Sequence, residues 1–104
     1  MNFPSNFQSI WEYEVDNNFR ADFIEAYDSH GLWAKLFKQC KGYIRTELVQ
    51  DFNQPNRFVT IDHWQSKSAF LAMNKTVAEE YNKLDRQCEA YTLSENHIGF
   101  FGSE

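Results

Sequence analysis

The sequence predicts an α+β domain of ferredoxin-like βαββαβ architecture: a four-stranded antiparallel sheet with both helical segments on one face. Three observations carry that expectation. The apolar periodicity runs strand, helix, strand, tight polar turn, strand, helix, strand, which is two split βαβ halves. Each helical stretch is interrupted once, at His30-Gly31 and at Asn74-Lys75. Finally, 104 residues with 42% hydrophobic positions suffice for one core and no second one, so 1–104 is expected to be a single domain with its core at about 7–101. An α+β sandwich with a different strand order is the alternative.

The first strand is the alternating stretch Phe7 to Val15, with Ser9, Trp11, Tyr13 and Val15 on one face and Ile10, Glu12 and Glu14 on the other. Asp16-Asn17-Asn18 offers capping oxygens for a helix. Phe19, Phe23 and Tyr27, with Ala26, give that helix an apolar stripe, and Trp33, Leu36, Phe37 and Cys40 continue it after the break. Lys41-Gly42 supplies a cation and a left-handed stop. Tyr43 to Asp51 and Arg57 to Gln65 read as strands two and three around the turn Phe52-Asn53-Gln54-Pro55-Asn56. Ser66 caps a short helix carrying Ala69, Phe70 and Met73, and Thr76-Val77-Ala78-Glu79 has the capping-box pattern for a longer one with Val77, Tyr81, Leu84 and Cys88 inward. The last strand is placed at about Glu95 to Phe101, with Ile98 and Phe100 on one side. The tail Gly102-Ser103-Glu104 is expected to fray.

Composition narrows the function. Ten Lys+Arg against 15 Asp+Glu leave a net charge of −5, which argues against nucleic acid and against an anionic membrane surface, since both need clustered positive charge. The longest apolar run, Ala69 to Met73, is far short of the roughly 20 residues of a membrane span. Met1-Asn2-Phe3-Pro4-Ser5-Asn6 lacks the basic start and apolar stretch of a signal peptide. A cytoplasmic location is therefore expected, with Cys40 and Cys88 as reduced core thiols. Ten Phe, five Tyr and three Trp make the core strongly aromatic.

Four stretches carry a family resemblance: Trp11-Glu12-Tyr13-Glu14-Val15, Gly42-Tyr43, Phe58-Val59-Thr60-Ile61-Asp62-His63-Trp64, and Gln65-Ser66-Lys67-Ser68-Ala69-Phe70. Over roughly positions 7 to 101 the chain resembles the antibiotic biosynthesis monooxygenase superfamily, the dimeric α+β barrels. Members have a Gly opening strand two and a Trp closing strand three, followed by a polar-Ser-polar helix start. The resemblance implies that fold and a homodimer. The family includes cofactor-free quinone-forming oxygenases, haem-degrading enzymes, small-molecule isomerases and members with no demonstrated activity. The haem-degrading branch uses an Asn in strand one, a Trp in the helix after strand three and a downstream His. Here the corresponding places hold Glu12 and Glu14, Met73, and no His near Tyr81 to Asp85. No cofactor is expected, and no specific haem binding.

Among candidate groups, Gly31, Gly42, Gly99 and Gly102 lack phosphate-loop spacing, and neither a nucleophile elbow nor a zinc motif is present. His63 is the leading titratable group. Alternation with Val59 and Ile61 turns it toward the helices, where an imidazole among rings can abstract a phenolic proton; a hydrogen-bonded core histidine is the plainer reading. His30, at the helix break, is either a gate at a pocket mouth or a solvated loop residue. His97 falls in the last strand with no assigned role. Trp11, Tyr13, Trp33 and Tyr81 are the expected pocket walls, with Tyr27 and Phe37 beside them, although core packing accounts for such rings equally well. The opposite face is expected to hold Glu12, Glu14, Arg45, Glu47 and Asp62, with Tyr43, Phe58 and Trp64, and to form the contact of a homodimer.

The function expected from this reading is cofactor-independent monooxygenation of an aromatic or polyphenolic small molecule, with His63 as base. The alternative is a non-catalytic dimeric small-molecule-binding or stress-associated protein of the same fold. A cavity of roughly 300 Å³ with His63 on its wall separates the two.

Overall fold

β1 (Phe7–Val15) lies inside the sheet of the computed structural model, which describes residues 6–102. The expected fraying of Ser103 and Glu104 falls outside those residues. β2 (Tyr43–Gln50) and β3 (Arg57–Trp64) form a hairpin, and β4 (Thr92–Phe101) closes the sheet in the order β2-β3-β1-β4 with all neighbours antiparallel. That is the ferredoxin-like order of two interleaved βαβ halves, so the sandwich alternative does not hold.

α1 (Arg20–Tyr27) and α2 (Leu32–Phe37) are the two pieces of the first helical segment; α3 (Lys67–Thr76) and α4 (Ala78–Cys88) are those of the second. Local chemistry places their starts. Asp16 accepts a bond from the Asn18 N–H ahead of the 3₁₀ turn Asn17–Phe19, and Ser66 accepts one from the Ala69 N–H. Thr76 does not cap α4 as its pattern predicts. It ends α3 and bonds the Ala72 carbonyl instead, and Val77, fully buried, takes the junction. Burying an aliphatic side chain there outweighs one capping hydrogen bond. β4 begins at Thr92 rather than at about Glu95, and Ile98 is the extra residue of a bulge between the pairs Ile10–Gly99 and Trp11–His97. The bulge separates Ile98, 43% exposed, from the side of Phe100, which packs on Phe7 and His97.

Phe23, Ala26, Tyr27, Trp33, Leu36 and Phe37 meet the sheet through Tyr13, Val15, Phe58 and Trp64, all buried. Phe23 stacks on Tyr27 at 4.3 Å and meets Phe58 at 5.2 Å, while Phe37 and Trp64 meet edge to face at 5.5 Å. Such offset and tilted pairs are the arrangements that ring quadrupoles favour. Gly42 is required where β2 begins: its φ is +91°, and a Cβ there would stand 2.5 Å from that of Ala69. Its bareness seats the start of α3 against the sheet, next to Trp64.

The faces of β3 are the reverse of those read from the sequence. Phe58, Thr60, Asp62 and Trp64 turn toward the helices, and Arg57, Val59, Ile61 and His63 turn to the open face. Tyr43 also packs on the helix side, against Phe37 and Trp64. β3 is apolar on both faces, so alternation alone did not say which face is the core. Phe58 and Trp64 together bury more area than Val59 and Ile61, and that difference decides it.

Candidate functional site

Between α2, α4 and the sheet lies a cleft of about 60 Å³. Trp11 and Tyr13 from β1, Tyr27 from α1, Trp33 and Phe37 from α2 and Tyr81 from α4 are its rings. Trp33 and Tyr81 meet edge to face at 4.8 Å, and Tyr13 and Tyr27 lie 5.0 Å apart. All four expected walls are therefore together, with Tyr27 and Phe37 among them. Thr46, Thr60 and Asp62 from the sheet, Asp85 from α4 and Glu95 from β4 supply the polar lining. A second lobe of about 100 Å³ adjoins it and shares Trp11, Phe37, Asp62 and Tyr81.

Asp62 is the group that sequence reasoning put on the wrong face. Burial pushes its carboxyl up from 3.8 to about 6, against the opposing pull of the Thr46 hydroxyl. Thr46 donates to Asp62 Oδ1 at 2.6 Å, and Thr46 Oγ1 lies 2.7 Å from the Tyr43 hydroxyl. A threonine has one proton to give, so Tyr43 must donate to Thr46, and the two bonds run in one direction onto the carboxylate. Tyr43 and Tyr81 are pushed up to about 12, and Tyr13 and Tyr27 higher still, all by burial. The phenols of the cleft thus stay protonated at neutral pH, while Asp62 titrates close to it. A half-buried carboxylate poised there is suited to general-base work.

The other titratable candidates stand elsewhere. His63 is on the open face, paired across the strands with Gln8 and Arg45, and its Nε2 bonds Glu47 Oε1. It does not touch the cleft, because neighbours in a strand point to opposite faces and Asp62 has the inner one. The expected proton abstraction by His63 loses its geometry for this reason. His30 is exposed at the break between α1 and α2, where its N–H donates to Asp28 Oδ1, and it is not part of the cleft lining. Of the expected outer-face set, Glu12, Glu14, Arg45 and Glu47 are there and Asp62 is not; Arg57 binds both Glu12 and Asp51 on that side. The signal that could have found Asp62 is the spacing Phe58, Thr60, Asp62, Trp64: two rings at the ends of one alternating set.

Comparison with known proteins completes the picture. A family model described as antibiotic biosynthesis monooxygenase matches residues 9–80. No curated protein sequence matches significantly. Among solved structures, a point mutant of SnoaB from Streptomyces nogalater, described as a cofactor-independent oxygenase, is 17% identical over 96% of this chain and 94% of that one, with a TM-score of 0.72. A protein from Deinococcus radiodurans described as a putative antibiotic biosynthesis monooxygenase is 14% identical over 94% and 92%, with a TM-score of 0.73. One from Nitrosomonas europaea with the same description is 16% identical over 96% and 91%, at 0.71.

Proposed function

The chain belongs to the antibiotic biosynthesis monooxygenase family, and on that footing we propose that it is a cofactor-independent monooxygenase of an electron-rich, single-ring hydroxyarene, with Asp62 as the base. The observation that carries the reading is a near-neutral carboxyl on the wall of an aromatic cleft. Deprotonating a phenol raises the electron density of its ring until dioxygen itself serves as oxidant, so the protein has to supply a base, a ring-shaped site and shelter from water. Tyr43 and Thr46 orient the carboxylate. Trp11, Tyr13, Trp33 and Tyr81 hold the ring.

Size sets the substrate class. An apolar cavity of about 150 Å³ accommodates one benzene ring. Neither lobe, at about 60 and 100 Å³, exceeds that, and both fall well below the roughly 300 Å³ with His63 on its wall that separates oxygenase from binding protein. The small volume also favours the competing reading, a binding protein of the same fold without turnover. An ¹⁸O₂ experiment separates them. Catechol, hydroquinone and 4-aminophenol are incubated with the protein, and products are examined by mass spectrometry. Monooxygenation places one labelled oxygen in the product and the other in water, and Asp62→Asn lowers the rate on the order of 10²–10⁴-fold. Saturable binding of these rings without labelled product would leave the binding protein as the better account.

The open face of the sheet is proposed as the contact of a homodimer. Ile10, Val59 and Ile61 are half-buried there, and Val49 and Ile98 are 46% and 43% exposed. A sheet that is apolar on both sides is one meant to be covered on both.

A further inference from the structure

The second lobe of the cleft holds a titratable group that the proposed proton abstraction does not use. His97 reaches it from β4, opposite Trp11 in the register. Its ring lies 4.7 Å from that of Trp11 and 4.4 Å from that of Phe100. Ser9, 3% exposed, fixes one ring nitrogen, with Oγ 3.1 Å from Nε2. Two rings and one hydroxyl set the plane of the imidazole, and Nδ1 has no hydrogen bond among the described residues. A histidine held this way in a packed core would be structural. This one lines a space of about 100 Å³ together with Asp62, and Tyr81 from α4 is the lobe's remaining titratable group.

We infer that His97 is a second catalytic residue, the acid–base partner that protonates the peroxide formed from dioxygen and then takes the proton of the oxidised ring carbon. This rests on the oxygenase reading above. Asp62 takes the phenolic proton, and a carbon of the phenolate bonds dioxygen to give a peroxide anion. The imidazolium of His97 gives its proton to the terminal oxygen. Neutral His97 then removes the hydrogen on the same carbon; that electron pair forms the new C=O bond while the O–O bond breaks. Hydroxide leaves and takes the proton stored on Asp62, becoming water. The substrate has lost two hydrogens and gained one oxygen, dioxygen has taken up four electrons, and both side chains are restored. Two groups on one lobe allow the proton to be taken and returned without solvent.

The test uses His97→Ala, His97→Gln and the hydroxyarene that the wild type turns over fastest. His97→Ala is expected to slow turnover on the order of 10²–10⁴-fold, to accumulate peroxide in acid-quenched samples, and to recover when millimolar imidazole fills the space left behind. His97→Gln, which keeps an amide within reach of Ser9, guards against simple misfolding and should stay slow. A wild-type rate in either variant, or a slow His97→Ala with neither peroxide nor imidazole rescue, overturns the inference. Nitrogen NMR gives an arm free of turnover: hydroquinone should move the His97 imidazole signals in the wild type and in Asp62→Asn. A ring that binds, as read from tryptophan fluorescence, and leaves His97 unmoved also overturns it. If no ring binds at all, the oxygenase reading itself fails and takes this inference with it.

Discussion

Asp62→Asn should make the protein more stable at neutral pH while removing the proposed base. The carboxyl rises from its ordinary 3.8 to about 6 because the cleft strips water from its charged form. At about 1.4 kcal/mol per tenfold change in proton affinity, the folded chain binds that proton by about 3 kcal/mol more tightly than the unfolded chain. Below pH 4 both states are protonated and nothing is lost. Between pH 4 and pH 6 the unfolded chain ionises first, so stability falls as pH rises, and above pH 6 the whole cost is present. Asparagine carries no charge and keeps an acceptor for the Thr46 hydroxyl. Because the open side of the cleft leaves the carboxyl partly hydrated, the expected gain at pH 7.5 is about 2–3 kcal/mol, on the order of 10–15 °C in Tm for a domain of this size. Urea unfolding of both proteins from pH 4 to pH 8, at one protein concentration, reads the difference directly. A variant less stable than the wild type at pH 7.5, or a difference that does not shrink toward pH 4, would refute the reasoning.

Other expectations follow from the same geometry. Gly42→Ala places a methyl group 2.5 Å from Ala69 Cβ on a backbone of φ +91°, so it should cost about 2–4 kcal/mol in denaturant unfolding. A loss below ~1 kcal/mol would show that the start of α3 gives way freely. His63→Ala should leave hydroquinone binding within about twofold of the wild type, because His63 lies across the sheet from the cleft; a tenfold loss would restore it as a site residue. Light scattering at micromolar concentration should report twice the 12.4 kDa of the chain, and a monomer would remove the proposed sheet-to-sheet contact. Asp62, Asp85 and Glu95 line the first lobe, whose described lining includes no Lys, Arg or His, and burial together with Asp85 and Glu89 pushes the Glu95 carboxyl up. A phenol bearing a carboxylate should therefore bind several-fold more weakly than the unsubstituted phenol, and Glu95→Gln should narrow that gap.

The backbone was largely legible because its signals are local. Asp16 and Ser66 cap where their oxygens predict, and Gly42 has its positive φ. The first helical segment breaks at His30-Gly31 as its apolar stripe does, whereas α3 runs on through Asn74-Lys75 and the second break comes at Val77. The rings of the cleft were legible too, since Trp33, Phe37 and Tyr81 can face the sheet in only one way once their helices form. The base was not. It depends on which side of β3 is inside, a single binary choice that moves every residue of the strand at once. Val59 and Ile61 argued for one side, Phe58 and Trp64 for the other, and only the packing of Trp64 against Phe37 and Tyr43 settles it. The same choice that removed His63 from the cleft delivered Asp62 to it. His97 was illegible for a different reason: its direction depends on a bulge at Ile98, which no alternation rule anticipates.

The pH dependence of kcat/KM for the fastest hydroxyarene tests most directly whether Asp62 is the base, because that profile reports ionisations of the free protein. The wild type should rise tenfold per pH step on the acid side up to an ionisation near pH 6, the value set by burial of the Asp62 carboxyl. Asp62→Asn should lack that acid limb and run on the order of 10²–10⁴-fold slower above pH 6. An unchanged acid limb in Asp62→Asn would contradict the account, however strongly the substitution altered binding or stability.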